Sequence, residues 1–269
     1  KLDEAISSYE KALALDENTE FLKGVLFNTK MMVCDWNDFE SKINQLKVSI
    51  QKKQQAIRPF AMLSIADNPK LNKLVAEIFS NFYFTDKNYD FKHSFNKKNT
   101  KIKIAYFSSD FNQNHPVAHL INELFENHDS KSYEIFAFSF QASSEIDVFR
   151  KKIRKFVKHF YDVEDKSDDD IVSISRKLNL DIAVDLNGHT QNARTSIFSK
   201  RVAPVQINFL GFPGTMGSNF YDYIIADKFV IPEESKVFYN EKVLYMPNSY
   251  LINPSFRKVS NNKISKKSE

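Results

Sequence analysis

Four of the five glycines in this 269-residue chain lie in one stretch, residues 185–217. Each half of the stretch reads as a short apolar run followed by a turn that contains glycine: 181–186 leads into 187–190, and 205–210 leads into 211–217. Glycine tolerates the sharp bends and close backbone approaches that other residues resist. Two such turns after successive strands predict a ligand site at the strand ends.

The formal charge of +4 is concentrated at one end of the chain. Residues 257–269 carry five basic side chains and one acidic side chain, so the rest of the chain has equal numbers of basic and acidic side chains. This balance argues against a nucleic-acid partner. The single cysteine, Cys34, excludes an internal disulfide and is typical of a reducing cytoplasm. Without a long apolar run or a signal-peptide pattern, the sequence predicts a cytoplasmic protein and no membrane partner.

Residues 1–20 have the pattern of the end of a tetratricopeptide repeat. Ala5, Tyr9 and Ala12 share one helical stripe, and this small–aromatic–small spacing is typical of the second helix of such a repeat. An ordinary amphipathic helix is the alternative interpretation. Because the first helix of the repeat would precede residue 1, we expect the chain to begin inside a repeat array.

Residues 21–100 are predicted to form a helical connecting region. Asp35 is a candidate cap for a helix that starts directly after it, and Asn68 is a candidate cap for a helix over 69–84. The polar and basic segment 89–100 is the expected domain boundary. Three side chains in this region are expected in a core: Met31, Met32 and Trp36.

From residue 101 onward, apolar strands alternate with helices. This alternation predicts right-handed crossovers and an α/β fold with a doubly wound parallel sheet. The predicted strands are 102–108, 133–140, 181–186, 205–210, 223–227 and 242–246, and the predicted helices are 116–127, 146–160, 167–177 and 194–201. Ligands of such sheets bind beyond the carboxyl ends of the strands. One crevice is therefore expected between the segments 108–115, 187–190 and 211–217, with Asp227 nearby.

His115 is the strongest catalytic candidate in this crevice. The first turn lacks a glycine-rich dinucleotide fingerprint, and the sequence has no Walker A motif. Pro116 suits the first turn of a helix, which puts His115 at its positive end, where anionic groups bind and a neutral imidazole can accept a proton. His119, one turn further, is interpreted as a packed or hydrogen-bonded structural histidine. The pair without a third ligand is weak support for a metal site, and none is predicted.

Three other features have a structural and a functional interpretation. The aspartates at 168–170 resemble a metal-binding cluster, but their position at a predicted helix start favours capping. His189 is equally compatible with a site residue and a structural residue. The turn 211–217 can present backbone amides to a ligand, or can be a tight structural turn.

Several long motifs resemble the catalytic region of protein O-linked N-acetylglucosamine transferases, including the SPINDLY-like branch, whose plant members transfer fucose. These motifs are SSDF, HPVAHL, DLNGHTQNAR, APVQINFLGFPGTMGSNFYDYIIAD and FYNEKVLYMP. The resemblance covers residues 101–254 and implies the first Rossmann-like lobe of a two-lobed GT-B glycosyltransferase, preceded by tetratricopeptide repeats. Residues 255–269 would then be a polar basic linker, and the second lobe would follow it.

The resemblance implies an inverting enzyme that needs neither a metal nor another cofactor. It would move a sugar, with N-acetylglucosamine favoured, from a UDP-sugar to Ser or Thr hydroxyls of protein acceptors recruited through the repeats. His115 matches the histidine proposed as general base in this family. Pro116, Leu210 and Gly211 match residues that line the sugar pocket. We further assign substrate binding to Pro213, Gly188 and His189, and expect Gly211→Val to damage activity more than stability.

Two departures from the family pattern concern the site. The segment between Asp110 and His115 is one residue longer than the family pattern, and residues 58–63 lack the histidine that animal members carry there. Two alternatives stay open: a repeat-bearing scaffold without activity, and another nucleotide-sugar enzyme of the same fold. For residues 1–269 alone we expect a truncated and inactive lobe that binds UDP more weakly than about 1 mM.

Overall fold

A parallel seven-stranded sheet forms the larger part of the fold, with the strand order β3-β2-β1-β4-β5-β6-β7. The structure is a computed structural model that describes residues 1–84, 91, 101–141 and 147–256. The order reverses between β1 and β4, which is where doubly wound sheets bind ligands. The strands are β1 (Ile102–Ser108), β2 (Tyr133–Ser139), β3 (His159–Asp162), β4 (Ile182–Asp185), β5 (Val205–Phe209), β6 (Tyr223–Ala226) and β7 (Lys242–Tyr245).

Helices cover both faces of the sheet, because successive strand residues point in opposite directions. Ala105 and Phe107 of β1 belong to one buried cluster, and Ile104 and Tyr106 to the other. The helices of this part are α6 (Pro116–Leu120), α7 (Val148–Phe156), α8 (Asp168–Leu178), α9 (Thr195–Ser199) and the 3₁₀ helix η1 (Glu233–Phe238). Residues of α8 and α9 pack in the first cluster, and residues of α6 and α7 pack in the second. The predicted doubly wound α/β fold is confirmed.

Within residues 1–84, five helices precede the sheet: α1 (Leu2–Leu15), α2 (Leu22–Met32), α3 (Phe39–Gln51), α4 (Pro59–Leu63) and α5 (Pro69–Tyr83). Helices α2 to α5 share a separate core that includes Phe27, Ile50 and Val75, whereas α1 has no buried residue. As predicted, Asn68 caps α5, and its Oδ1 accepts a hydrogen bond from the Leu71 amide at 3.0 Å. None of these or the other described helices is long and apolar enough to cross a bilayer.

The cap prediction for Asp35 and two of the three core predictions near it were wrong. Asp35 caps no helix; its carboxylate accepts from the Asn37 amide within a turn, and α3 starts only at Phe39. Met32 and Trp36 are 63% and 52% exposed, because the chain leaves the helical core in this turn. Met31 does pack against that core, as predicted.

Two helices of the sheet region are shorter than predicted. α6 ends at Leu120 rather than at residue 127, and His119 on it is exposed instead of packed. α7 ends at Phe156, because the chain continues into β3, an edge strand that the sequence pattern missed. Residue 146, where this helix was expected to begin, lies outside the described residues.

Helix α5 joins the helical part to the sheet part. The Ser80 hydroxyl donates to the Met216 carbonyl at 2.6 Å. Gly217 has φ +63°, and a Cβ there would lie 2.2 Å from the backbone of Ala76. The helical part is therefore packed directly on the turn 211–217. The domain limits at 20, 100 and 254 stay predictions; of the boundary segment 89–100 only Phe91 is described, and 257–269 lie outside the described residues.

Candidate active site

The carboxyl ends of β1 and β4 are joined by the side chain of Asn187, which is fully buried. Its Oδ1 accepts from the Ser109 amide, and its Nδ2 donates to Ser109 Oγ, each at 2.8 Å. Nδ2 also donates to Asp110 Oδ2 at 2.8 Å and to Thr190 Oγ1 at 3.1 Å. The predicted segments 108–115 and 187–190 therefore meet at the switch point of the sheet.

His115 lies beside Asp110 at this switch point. Its Nδ1 accepts a hydrogen bond from the Val117 amide at 3.3 Å, so the ring caps α6. Its Nε2 lies 3.6 Å from Asp110 Oδ1. The His115 side chain is 41% exposed, whereas that of Asp110 is 11% exposed. A substrate in the crevice therefore reaches the imidazole more easily than the carboxylate.

The contacts of His115 fix where its proton is held. Because Nδ1 accepts from the backbone, the neutral ring carries its proton on Nε2, facing Asp110. The distance of 3.6 Å is longer than a hydrogen bond, and such pairs often tighten only when substrate is bound. The arrangement is a histidine–carboxylate pair that can donate a proton to, or accept one from, a group in the crevice.

Asp185 and Tyr221 support the turn that follows β4. The Tyr221 hydroxyl donates to Asp185 Oδ2, and Asp185 Oδ1 accepts from the Asn187 amide at 2.9 Å. Burial raises the pKa of Asp185, and the negative charge of Asp110 adds to the rise. Burial likewise raises the pKa of Tyr221. These side chains are covered, and their role is to hold the turn.

The turn 211–217 is held by side chains on both sides. Asn208 Nδ2, at the end of β5, donates to the carbonyls of Phe212 and Gly214 at 3.0 and 3.4 Å. Glu241 accepts from Thr215 Oγ1 at 2.8 Å and from the Met216 amide at 2.7 Å. Burial raises the pKa of Glu241. The turn is thus a rigid part of the crevice.

Two of the predicted substrate-binding glycines have a packing role. A Cβ at Gly211 would lie 2.1 Å from the Leu186 carbonyl oxygen and 3.1 Å from that of Asn187. Gly188 has φ +60°, and a Cβ there would lie 2.6 Å from Phe212 Cβ. Glycine is thus required where the turns after β4 and β5 touch. Contact with a substrate stays a prediction for both.

The other predicted substrate residues lie at the same edge in different environments. Leu210, with φ +75°, buries its side chain in a core cluster, so only its backbone could contact a ligand. Pro213 is half-buried, and its carbonyl accepts from the Tyr239 hydroxyl at 3.0 Å. Pro116 is exposed at the start of α6. Substrate binding by these three residues stays a prediction.

His189 is packed as a structural histidine. It is buried between the Phe79 and Phe212 rings in edge-to-face contacts, with ring centroids 5.0 and 5.2 Å away. Burial lowers its pKa to about 4, so the ring is neutral near pH 7. Its Nε2 lies 3.0 Å from the Met216 carbonyl, which can only accept, so this nitrogen donates. Only its remaining ring edge could meet a substrate.

Comparison with known proteins identifies the family. The sequence profile of glycosyl transferase family 41 matches residues 33–268. The chain belongs to this family. It is 37% identical, over 153 residues, to a probable UDP-N-acetylglucosamine–peptide N-acetylglucosaminyltransferase SEC of Arabidopsis thaliana, and 28% identical, over 240 residues, to the UDP-N-acetylglucosamine–peptide N-acetylglucosaminyltransferase of Caenorhabditis elegans. These alignments cover 57% and 82% of the chain but only 16% and 20% of the two relatives.

A solved structure shows the same fold. A mutant of Thermobaculum terrenum O-GlcNAc transferase superimposes with a TM-score of 0.73 at 22% identity, over 93% of this chain and 48% of that one. The prediction of a Rossmann-like lobe of the GT-B type, preceded by helices, is confirmed. That residues 1–20 end a tetratricopeptide repeat stays a prediction.

A cleft in this family 41 chain is lined in part by Thr190, whose Oγ1 accepts from Asn187. It has a volume of about 590 Å³ and separates α4 and α5 from the segment 188–196. Aromatic side chains of α5 line one wall, and polar side chains of the segment line the other. Its lining includes Arg58, Phe79, Tyr83, His189, Thr190 and Arg194. The cleft is partly open to solvent.

The aspartates at 168–170 serve the structure, as the capping interpretation predicted. Asp170 and Ser167 form a reciprocal capping box at the start of α8. Asp168 accepts from Arg194 Nε at 2.7 Å, and Asp169 pairs with Lys200. Within the described residues, no group of three or more acidic, histidine or cysteine side chains is placed to hold a metal ion.

Asp227, expected near the crevice, accepts hydrogen bonds from backbone amides. Its carboxylate accepts from the amides of Phe229, Val230 and Tyr250 at 2.8 to 2.9 Å. These contacts lower its pKa, with the Tyr250 amide the largest cause. Asp227 therefore anchors the segment after β6.

Sequence reasoning did not single out Asp110 or Asn187 as site residues. Both stand in motifs that carried the resemblance, and only the pairing of β1 with β4 brings them together. An acidic residue directly after a strand, near a histidine, was the one available signal for Asp110.

Proposed function

We propose that the intact protein transfers N-acetylglucosamine from UDP-N-acetylglucosamine to Ser or Thr hydroxyls of polypeptides. One observation carries the proposal: a chain matched by glycosyl transferase family 41 over residues 33–268 has an exposed histidine paired with a carboxylate at the switch point of its sheet. Relatives described as peptide N-acetylglucosaminyltransferases support the choice of sugar and acceptor.

In the proposed reaction the anomeric configuration inverts. The acceptor oxygen forms a bond to the anomeric carbon while the bond from that carbon to the diphosphate breaks, and UDP leaves. His115 accepts the hydroxyl proton at Nε2 in the tautomer that carries its proton on Nδ1. That tautomer gives up the Val117 contact, which is long at 3.3 Å. Asp110, whose Oδ1 lies 3.6 Å from Nε2, orients the imidazole and stabilises the charge it gains.

In this proposal both substrates bind at the carboxyl ends of the strands. Pro116, the Leu210 backbone, Gly211, Pro213 and Gly188 would surround the sugar, while the cleft of about 590 Å³ would receive the acceptor polypeptide. An acceptor site that bridges α5 and the sheet would let the helical part influence acceptor choice. Repeats ending within residues 1–20 would recruit protein acceptors.

We further propose that neither a metal ion nor another cofactor takes part, and that the protein works in the cytoplasm. The three aspartates most similar to a metal cluster are engaged with Arg194, Lys200 and Ser167, which supports the first part. The single cysteine supports the second. The segment 1–269 alone, a small share of its relatives' length, is proposed to transfer no sugar and to bind UDP more weakly than about 1 mM. Isothermal titration with UDP checks this, and micromolar binding would contradict it.

Transfer assays on the intact protein test the proposed function. With UDP-N-acetylglucosamine and a Ser/Thr peptide library, His115→Ala should lower kcat by about 10²–10⁴-fold, the range for a positioned acid–base group. The control is His119→Ala, which changes an exposed histidine one turn away. An effect below about threefold for folded His115→Ala would remove His115 from the mechanism. A wild-type protein that captures polypeptides but transfers no sugar would favour the scaffold alternative.

A further inference from the structure

Asn187 makes contacts that reach both Asp110 and the turn after β4, yet it is shielded from the crevice. Its side chain is fully buried, and both of its polar atoms form hydrogen bonds, with Ser109, Asp110 and Thr190 as partners. Its backbone amide is held by Asp185. A residue in this position can affect a reaction only through its neighbours.

We propose that Asn187 is a positioning residue, which holds the Asp110 carboxylate in the orientation that faces His115. This inference rests on the proposed function, in which His115 exchanges the acceptor proton. The geometry points to Asn187, because its side chain donates to Asp110 Oδ2 and also holds Ser109, whose hydroxyl donates to Asp110 Oδ1.

The two oxygens of the Asp110 carboxylate have different partners. Oδ2 accepts from Asn187 Nδ2 at 2.8 Å, and Oδ1 accepts from Ser109 Oγ at 2.7 Å. Ser109 is itself held by Asn187 through its amide and its hydroxyl. Both contacts of the carboxylate therefore depend on one amide side chain. Without that side chain, the carboxylate is free to rotate, and Oδ1 loses its fixed place 3.6 Å from Nε2 of His115.

The amide chemistry of Asn187 matters as much as its size. Asn187 separates two carboxylates, since its side chain donates to Asp110 and its backbone donates to Asp185. An aspartate at position 187 would have the same shape, but it would replace the donating Nδ2 with an oxygen. A third carboxylate would then lie between the other two in a buried site, where like charges repel strongly. The network accepts an amide here and excludes an acid.

The test compares Asn187→Asp and Asn187→Ala in the intact protein. We expect each to lower kcat by about 10–100-fold, the range known for residues that orient a reacting group through a hydrogen bond, with KM for the sugar donor within about threefold. In the background of Asp110→Ala, the same Asn187 variants should cost less than about threefold, because the group they position is gone. If the Asn187 variants lower kcat by the same factor with Asp110 present and with Asp110→Ala, the proposal is overturned.

Gln206→Glu is the matched control. Gln206 is another fully buried amide near the amino end of β5, away from the carboxyl ends of the strands, and its Nε2 donates to the carbonyls of Phe198 and Phe220. The variant places the same kind of acid in the same sheet and should lower Tm. It should leave kcat of the folded protein within about twofold. If Gln206→Glu lowers kcat as much as Asn187→Asp does, Asn187 acts through stability alone.

A second readout does not need activity. In ¹³C-histidine NMR spectra of the intact protein, His115 is assigned as the signal lost in His115→Ala. Asn187→Asp and Asp110→Ala should both shift this signal, and Gln206→Glu should not. An unshifted signal in Asn187→Asp would overturn the positioning role. An inactive wild-type protein whose signal shifts as expected would instead refute the proposed function and leave the positioning of His115 supported.

Discussion

Gly211→Ala is expected to destabilise the protein by about 3 kcal/mol. The added Cβ would lie 2.1 Å from the carbonyl oxygen of Leu186, whereas non-bonded heavy atoms prefer about 3.5–4.0 Å. The turns after β4 and β5 would have to separate by more than about 1 Å. The obstacle is backbone at the end of a buried strand, which cannot rotate away. Overpacking of this kind costs about 1–3 kcal/mol, and a backbone obstacle favours the upper limit.

Thermal unfolding of the intact protein measures this loss. A change of 1 kcal/mol moves Tm by about 2–4 °C in a domain of this size, so Gly211→Ala should lower Tm by about 6–12 °C. The control is Gly214→Ala in the same turn. Its Cβ would meet the Phe212 ring at 2.6 Å, and a ring edge can tilt where a backbone carbonyl cannot. The control should therefore lose less than half as much.

The result also decides between two roles of Gly211. The sequence suggested that a side chain there would damage activity more than stability, whereas the contact with Leu186 shifts the expected damage to stability. A Tm within about 2 °C of the wild type would refute the packing argument. If Gly211→Ala kept its Tm but bound the sugar donor more weakly, the role of Gly211 would be to leave room for the sugar.

Three further variants test separate contacts. Burial lowers the pKa of His189 to about 4 from an unfolded value of 6.5. Between these two pH values the unfolded chain binds a proton that the folded protein does not bind, so the folded protein loses stability as the pH is lowered. Urea unfolding should show a loss of about 2 kcal/mol from about pH 7 to pH 5 that is missing in His189→Gln, and an equal loss in both proteins would contradict the burial of this ring. Ser80→Ala, which removes the 2.6 Å bond to the Met216 carbonyl, should cost about 1 kcal/mol in the same assay, and no change would mean that α5 is not anchored there. Asn68→Ala should also cost about 1 kcal/mol by removing the cap of α5, whereas Asn68→Gly should cost only a few tenths.

The doubly wound fold could be predicted because its elements have strong local patterns. Six of the seven strands were predicted from apolar runs between turn residues, and the cap of α8 from its serine and aspartates. β3 was missed because His159–Asp162 is a short edge strand in which only Phe160 is buried. An edge strand has one paired side and few covered residues, so its sequence carries little of the apolar signal. The prediction instead extended the preceding helix through it.

The candidate site was predicted in part, because its contacts join distant parts of the chain. His115 could be identified from Pro116, a local signal for a helix start. Asp110 and Asn187 are 77 residues apart, and only the register of two parallel strands brings them to 2.8 Å. His189 had two equal interpretations from its neighbours in sequence. The packing of Phe79 from α5 favours the structural one, and no local pattern links those two residues.

The turn 211–217 makes the helical part and the candidate site one structural unit. The Met216 carbonyl accepts from Ser80 of α5 and from His189, while the Met216 amide donates to Glu241. The backbone of this one residue thus connects α5, the turn after β4 and the segment before β7. Met216 is fully buried, so loss of α5 would leave its carbonyl with a single partner and open the packing around His189. Gly211 in the same turn packs against the backbone of Leu186, the residue before Asn187, and Asn187 donates to Asp110. A continuous series of contacts therefore joins the helices before the sheet to the histidine–carboxylate pair.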